Sequence, residues 1–312
     1  RWRKRRSNHR RYYRKDSDPM KKDYITRIKA NVNIFATKKT SNVLDGTYVS
    51  VFMGRSMNFE DLREYVPGDS IRDIDWKSSS RSRSLLVKRY VADKKHNIML
   101  LMDTGTKMSA HTKEGASKKD VALYTAGTIA YLAYKNGDTI GSAYNKDGMI
   151  QYHQFKTGLV NIEKILSYCD AEMCLGKTNN MEKTVDYLIN NFRRKMIIFI
   201  VTDKKGTSSL TETALKRLVC RHDVLICNIS DSEITSGGLN CFDVGNDHYV
   251  PAFISSNKKL MKIEKENNAR IVEENERKLL RHGIMTVSID KEEEIVTKLI
   301  ELLEKHKHAN TR

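Results

Sequence analysis

The chain has 312 residues, and its 56 Lys and Arg against 39 Asp and Glu give a formal net charge of +17; that length suits two modest domains or one larger one with an extension. Five cysteines, odd in number and without a C-x-x-C pair, argue against a disulfide framework or a zinc knuckle and fit a reducing compartment. No apolar run approaches the roughly 20 residues that span a bilayer, so the expectation is a cytoplasmic chain, with membrane association as the alternative.

The excess charge is concentrated at the start. Arg1, Arg3, Lys4, Arg5, Arg6, Arg10, Arg11, Arg14 and Lys15 fall in the first fifteen residues with no acid among them. Residues 1–19 read as a basic disordered arm. Two other readings stay open: contact with anionic lipid head groups, or a nucleic-acid arm with Trp2, Tyr12 and Tyr13 for stacking. Because the sequence starts at Arg1 rather than Met, an upstream membrane span is also left open.

Residues 20–95 read as a small N-terminal α+β subdomain. Ile25, Ile28, Val32 and Phe35 at helical spacing predict a helix over 20–37. In TSNVLDGTYVSVF, a turn at Asp45-Gly46 followed by the alternation of Tyr48, Ser50 and Phe52 predicts a strand. The stretch that follows, to Arg89, mixes charges of both signs with Tyr65, Ile71, Ile74 and Trp76 and fits neither helical nor strand period. Its Val66-Pro67-Gly68-Asp69 is a tight-turn sequence. Composition alone is compatible with a solvated loop; the alternative is a segment that packs its aromatics against a domain while its own charges cross-bridge.

From residue 96 to 306 the pattern becomes a βαβ alternation, with 307–312 a tail. Strands are predicted at 98–102, 138–144, 149–155, 196–202, 223–229 and 284–289. Helices are predicted at 116–135, 159–168, 180–192, 209–221, 257–281 and 292–305. Alternation of this kind builds a Rossmann-like α/β domain, a parallel sheet covered by helices on both faces. Ligands of such sheets sit beyond the carboxyl ends of the strands, and two predicted strands run directly into an aspartate, Asp103 and Asp203. In the bland reading these two acids only cap strand ends and adjoining helices.

Other chemistry is thin. The nine histidines show no H-E-x-x-H, there is no G-x-S-x-G elbow, and the Gly-Lys-Thr of Leu175-Gly176-Lys177-Thr178 lacks the preceding glycine of a phosphate loop. No residue pattern points to an enzyme.

The spelling GRSMNFEDLREYVPGDSIRDIDWKSSSR from Gly54 to Arg81 closely resembles the signature of the bacterial domain-of-unknown-function 58 family, carried here by Arg63, Tyr65, Pro67, Gly68, Asp69, Arg72, Asp75, Trp76, Arg81 and Lys88. The resemblance implies a von Willebrand factor A-like domain and an accessory role beside a MoxR-type AAA+ ATPase, in chaperone-like assembly or envelope-related processes. It also implies a metal-ion-dependent adhesion site, built from Asp-x-Ser-x-Ser, a loop Thr and a later Asp. On this chain those positions are Asp103, Gly105, Lys107, Thr178 and Asp203, so two ligand hydroxyls are lost. An ammonium at Lys107 would stand in for the cation and repel Mg²⁺, which makes the expected site degenerate and disfavours Mg²⁺ as a cofactor. The expected function is therefore a non-enzymatic interaction module. The alternatives are a basic-arm binder of nucleic acid or anionic membrane, and a metal-dependent hydrolase at Asp103 and Asp203.

Overall fold

The computed structural model describes residues 23–36, 40–53, 58–82, 84–91, 95–177, 181–233, 235, 240–246 and 248–309. In chain order the elements are α1 (Tyr24–Ala36), α2 (Thr40–Tyr48), β1 (Asn58–Glu64), α3 (Trp76–Ser82), β2 (Leu86–Val91), β3 (Asn97–Met102), α4 (Lys118–Lys135), β4 (Thr139–Lys146) and β5 (Met149–Lys156). There follow α5 (Leu159–Glu172), α6 (Met181–Asn191), β6 (Ile197–Thr202), α7 (Lys204–Ser209), α8 (Glu212–Val219) and β7 (Asp223–Ile229). A short excursion holds β8 (Cys241–Asp243), β9 (His248–Val250) and α9 (Ala252–Ser255), before α10 (Lys258–Arg281), β10 (Met285–Ile289) and α11 (Ile295–Ala309).

Six strands form the central sheet in the order β10-β7-β6-β3-β4-β5. All pairs are parallel except β4 with β5, which closes one edge as an antiparallel hairpin. Successive side chains of a strand point to opposite faces, and the apolar runs divide accordingly. Ile98, Leu100 and Met102 of β3 join Phe199, Val201, Leu225 and Cys227 in a core covered by α4, α5 and α11. Met99 and Leu101 join Ile198, Ile200, Val224 and Ile226 in a second core under α6 and α8. A sheet buried on both faces needs continuous apolar strands, which is why these runs were legible.

Residues 40–53 correct the sequence expectation. The predicted strand is the helix α2, followed by a π turn over Val49–Met53. Leu44, Tyr48, Val51 and Phe52, at i, i+4, i+7 and i+8, all enter the first core, so the helical period was present behind the Asp-Gly turn signal. The Tyr48 hydroxyl donates to buried Asp138 at 2.6 Å. Helix α1 joins the same core through Tyr24, Ile25 and Ile28, and Glu163 of α5 accepts from the backbone N–H of Tyr24 and Ile25 at 3.4 and 3.1 Å, satisfying two of the free donors at its start. The predicted helix over 209–221 begins earlier and is broken in two, α7 and α8, at Leu210-Thr211.

Residues 58–91 form a separate small unit. β1 and β2 pair antiparallel, and Ile74 bridges Val87 on the other side of β2. Ile74 and Val87 are buried, yet neither belongs to the two sheet cores. Charge and backbone contacts shape the unit instead. The Arg63 guanidinium donates to both oxygens of Asp69 at 2.6 and 2.8 Å, while Asp69 also accepts from the Val66 N–H at 3.0 Å. Gly68, with φ +112°, supplies the turn conformation that side chains resist. Asp75 accepts from the Ser78 N–H at 3.0 Å at the start of α3 and lies 3.8 Å from the Lys88 ammonium. The expectation of a cross-bridged charge network matches these contacts. The expectation that Trp76 packs inward does not: its side chain is 63% exposed.

Candidate functional site

Three adjacent strands deliver an aspartate to the carboxyl edge of the sheet. Asp103 follows β3, Asp203 follows β6, and Asp231 comes two residues after β7. Sequence reasoning found the first two and missed the third, because Ile229-Ser230-Asp231 carries no run straight into an acid. Asp103 and Asp203 are both buried. Asp103 accepts from the Thr202 hydroxyl at 2.6 Å and the Gly105 N–H at 2.9 Å. Asp203 caps α7 by accepting from the Gly206 N–H at 2.8 Å.

The cation among these acids is Lys118, the first residue of α4. Its side chain is wholly buried, and its ammonium lies 3.0 Å from Asp203 and 2.5 Å from Asp231. A second lysine, Lys204, approaches Asp231 at 3.5 Å and donates to Asn268 of α10 at 2.9 Å. Lys107, which the sequence reading put beside Asp103 and Asp203, makes no ion pair with either. It lies against Gly245, between β8 and β9, where a Cβ would come 2.4 Å from Lys107 Cε. Lys107 still contributes from a distance to keeping Asp203 ionised. In sequence Lys118 looks like half of an ordinary Lys-Lys pair at a helix start, and no local pattern links it to partners 85 and 113 positions away.

The electrostatics follow from this geometry. Burial, and then the neighbouring Asp203 carboxylate, push Asp103 up to about 6 from an ordinary 3.8. Burial also opposes the charge on Asp203, but the Lys118 ammonium and the Gly206 N–H outweigh it and hold this acid below its usual range. Lys118 is likewise opposed by burial and carried above its ordinary value by Asp203 and Asp231. An amine held protonated has no lone pair to act as nucleophile or base.

Asp103 makes a pH prediction. Its folded pKa lies above the unfolded one, so folding favours its protonated form, and its contribution to stability declines as pH rises from about 4 to about 6. Asp103→Asn keeps an acceptor for the Gly105 N–H, turns an amide N–H toward the Thr202 hydroxyl, which can accept it, and cannot titrate. Urea midpoints at about pH 4.5 and about pH 7 are expected to show a larger advantage of the variant over the wild type at the higher pH; equal differences at both would remove the inferred shift.

Gly105 and Lys107 stand at the two serine positions, and the intervening Thr104 and Thr106 hydroxyls donate to the carbonyls of Asn145 at 2.5 Å and Lys177 at 2.6 Å. Thr178 lies outside the described residues. Among the described residues no three or more His, Cys, Asp or Glu side chains converge as a metal-ligand set. The group held among the acids at this edge is an ammonium, that of Lys118. Of the signature residues, Arg63, Asp69, Asp75 and Lys88 are brought together as described above, Tyr65 is half-buried, Pro67 and Gly68 form the turn, and Arg72, Trp76 and Arg81 are exposed.

Comparison with known proteins agrees with the signature. The chain is 24% identical over 199 residues to uncharacterized proteins Rv1480 of Mycobacterium tuberculosis and Mb1516 of Mycobacterium bovis, an alignment covering 62% of this chain and 61% of each relative. The chain thus spans about three fifths of the length of these relatives. Solved structures similar to it include BatB from Bacteroides thetaiotaomicron, with 12% identity, TM-score 0.45, 68% of this chain and 98% of that one covered. The SpRpn10 VWA domain is another, with 11% identity, TM-score 0.35, 66% of this chain and 94% of that one covered. No helix among the described residues is long and apolar enough to cross a membrane. The sequence model of the family described as "Protein of unknown function DUF58" matches residues 61–269, more than half of the chain, and the chain belongs to that family.

Proposed function

We propose that this protein is a non-enzymatic protein-interaction module with a degenerate, metal-free adhesion site, and that it serves as accessory partner to a MoxR-type AAA+ ATPase in chaperone-like assembly or envelope-related processes. The observation that carries the metal-free part is the Lys118 ammonium, buried between Asp203 and Asp231. A +1 charge fixed among the carboxylates offsets part of the attraction that would draw a divalent ion and occupies the space between Asp203 and Asp231. What supports an interaction role is the 58–91 unit. The Tyr65 N–H donates to Leu85 O, and the Asp75 N–H to Leu86 O, which brings Val66, Leu85 and Trp76 to one end of the unit. All three are exposed, as is Ile71. Arg72, Lys77 and Arg81 are exposed nearby, and Trp and Arg are enriched among residues that dominate protein interfaces.

The test is capture of the purified MoxR-type ATPase of the same genome by the immobilised chain, with and without EDTA. Capture is expected to survive EDTA. Trp76→Ala is expected to weaken it about tenfold while changing stability by less than about 0.5 kcal/mol, since the side chain is mostly in solvent. No capture by the wild type, or capture abolished by EDTA, would refute the proposal.

A further inference from the structure

The N-terminal end of helix α10 leaves apolar side chains in solvent. Going back from its C-terminus, the inward side is Leu279 in the second core, Asn275 bonded to the Lys204 carbonyl at 3.0 Å, Asn268 bonded to the Lys204 ammonium, and Glu264 accepting from the Thr235 N–H at 2.9 Å. The next position of that stripe, Leu260, is exposed, as are Met261 and Ile263. Preceding the helix, Phe253 of α9 is 75% exposed and Tyr249 of β9 is 55% exposed.

Bases outnumber acids at this tip. Lys258 and Lys259 occupy the first turn of α10, which has no acid, and Lys262 and Lys265 follow. Cations at a helix N-terminus oppose the macrodipole, so the helix is locally destabilised by residues that its own fold does not require. The nearby acids are partly occupied: Glu264 by Thr235, and Glu266 by Lys262 at 3.8 Å. Lys258, Lys259 and Lys265 have no ion pair among the described residues.

We infer that this tip, Tyr249, Phe253, Leu260 and Ile263 ringed by Lys258, Lys259, Lys262 and Lys265, docks on an anionic lipid bilayer. The exposed apolar side chains lie among lysines at 258, 259, 262 and 265, whose sign complements the phosphates of anionic lipid. A bilayer surface accepts such a tip directly: the rings and aliphatic chains enter the head-group boundary while lysines keep their ammonium groups at the phosphates. The nine bases among the first fifteen residues add charge of the same sign. This inference does not depend on the ATPase partnership.

The experiment is co-sedimentation of the full chain with vesicles of phosphatidylcholine alone or with about 30% phosphatidylglycerol. The wild type is expected to bind only the anionic vesicles and to lose binding as NaCl rises. Phe253→Ser with Ile263→Ser, and separately Lys258→Glu with Lys259→Glu, are each expected to lower partitioning about tenfold. Unchanged melting temperatures would certify that both variants are folded. Equal binding to both vesicle types, no binding to either, or wild-type binding by the Phe253/Ile263 variant would overturn the inference. The last result would assign membrane attachment to the basic arm and leave the tip for a protein.

Discussion

Lys118→Met is expected to destabilise the fold by about 3–5 kcal/mol, the cost of removing one partner of a buried ion pair. The replacement is close in volume, so the loss is electrostatic. Asp203 and Asp231 lose the ammonium that each holds within 3.0 Å, and Asp103 stands beside them with its pKa already raised. The sign of the pH dependence separates this from a packing defect. In the wild type the folded pKa of Lys118 lies above its ordinary value, so its stabilising effect is fully present at neutral pH and is lost only in strong alkali. In the variant the burial of Asp203 is no longer offset by the ammonium, so its folded pKa, like that of Asp103, lies above the unfolded one. Stability is then lost as pH rises through them and regained as it falls. Urea unfolding at about pH 5 and about pH 7.5 should therefore show a smaller deficit at the lower pH. A deficit independent of pH would mean that Lys118 acts through packing alone.

Gly206→Ala is expected to cost about 3 kcal/mol through overpacking. A Cβ at this position would lie 1.9 Å from the Thr202 hydroxyl oxygen and 2.9 Å from Asp103 Oδ2. The backbone of α7 has to come this close because the Gly206 N–H bonds Asp203 at 2.8 Å. The clash and the hydrogen bond between Thr202 and Asp103 share one oxygen, so the two sites should couple. Thr202→Ala alone leaves Asp103 with one donor fewer. Combined with Gly206→Ala it also removes the atom that the new methyl strikes, and the double variant should lose clearly less than the sum of the single losses. Strict additivity in thermal or urea unfolding would show that the backbone moves away as a whole.

Much of this architecture could be read from local sequence, and its limits are physical. The strands of the central sheet were visible because burial on both faces leaves no polar positions to blur the run. Asp103 and Asp203 were visible because each ends such a run. Lys118 was not, because its chemistry is set by partners on strands that are distant in sequence, and a lysine's own neighbours do not report its burial. The same limit explains Trp76, whose aromatic character suggests packing although its side chain stands in solvent beside the buried Ile74 and Val87 of its unit. At α2 the Asp45-Gly46 pair is locally a turn signal while the spacing of Leu44, Tyr48, Val51 and Phe52 is helical, and Gly46, exposed within the helix, is tolerated there because tertiary packing decides.

The docking of α2 against α11 also sets a timetable. Leu44, Tyr48 and Phe52 need Leu299, Leu302 and Leu303 for the core they share, and those residues are translated long after them. At ~5–20 residues per second the early helix waits roughly ten to fifty seconds on the ribosome with its apolar face uncovered. During that interval it presents the kind of surface that nascent-chain chaperones hold. A ribosome stalled before residue 295 should leave α2 accessible to protease, and release of the full chain should close it.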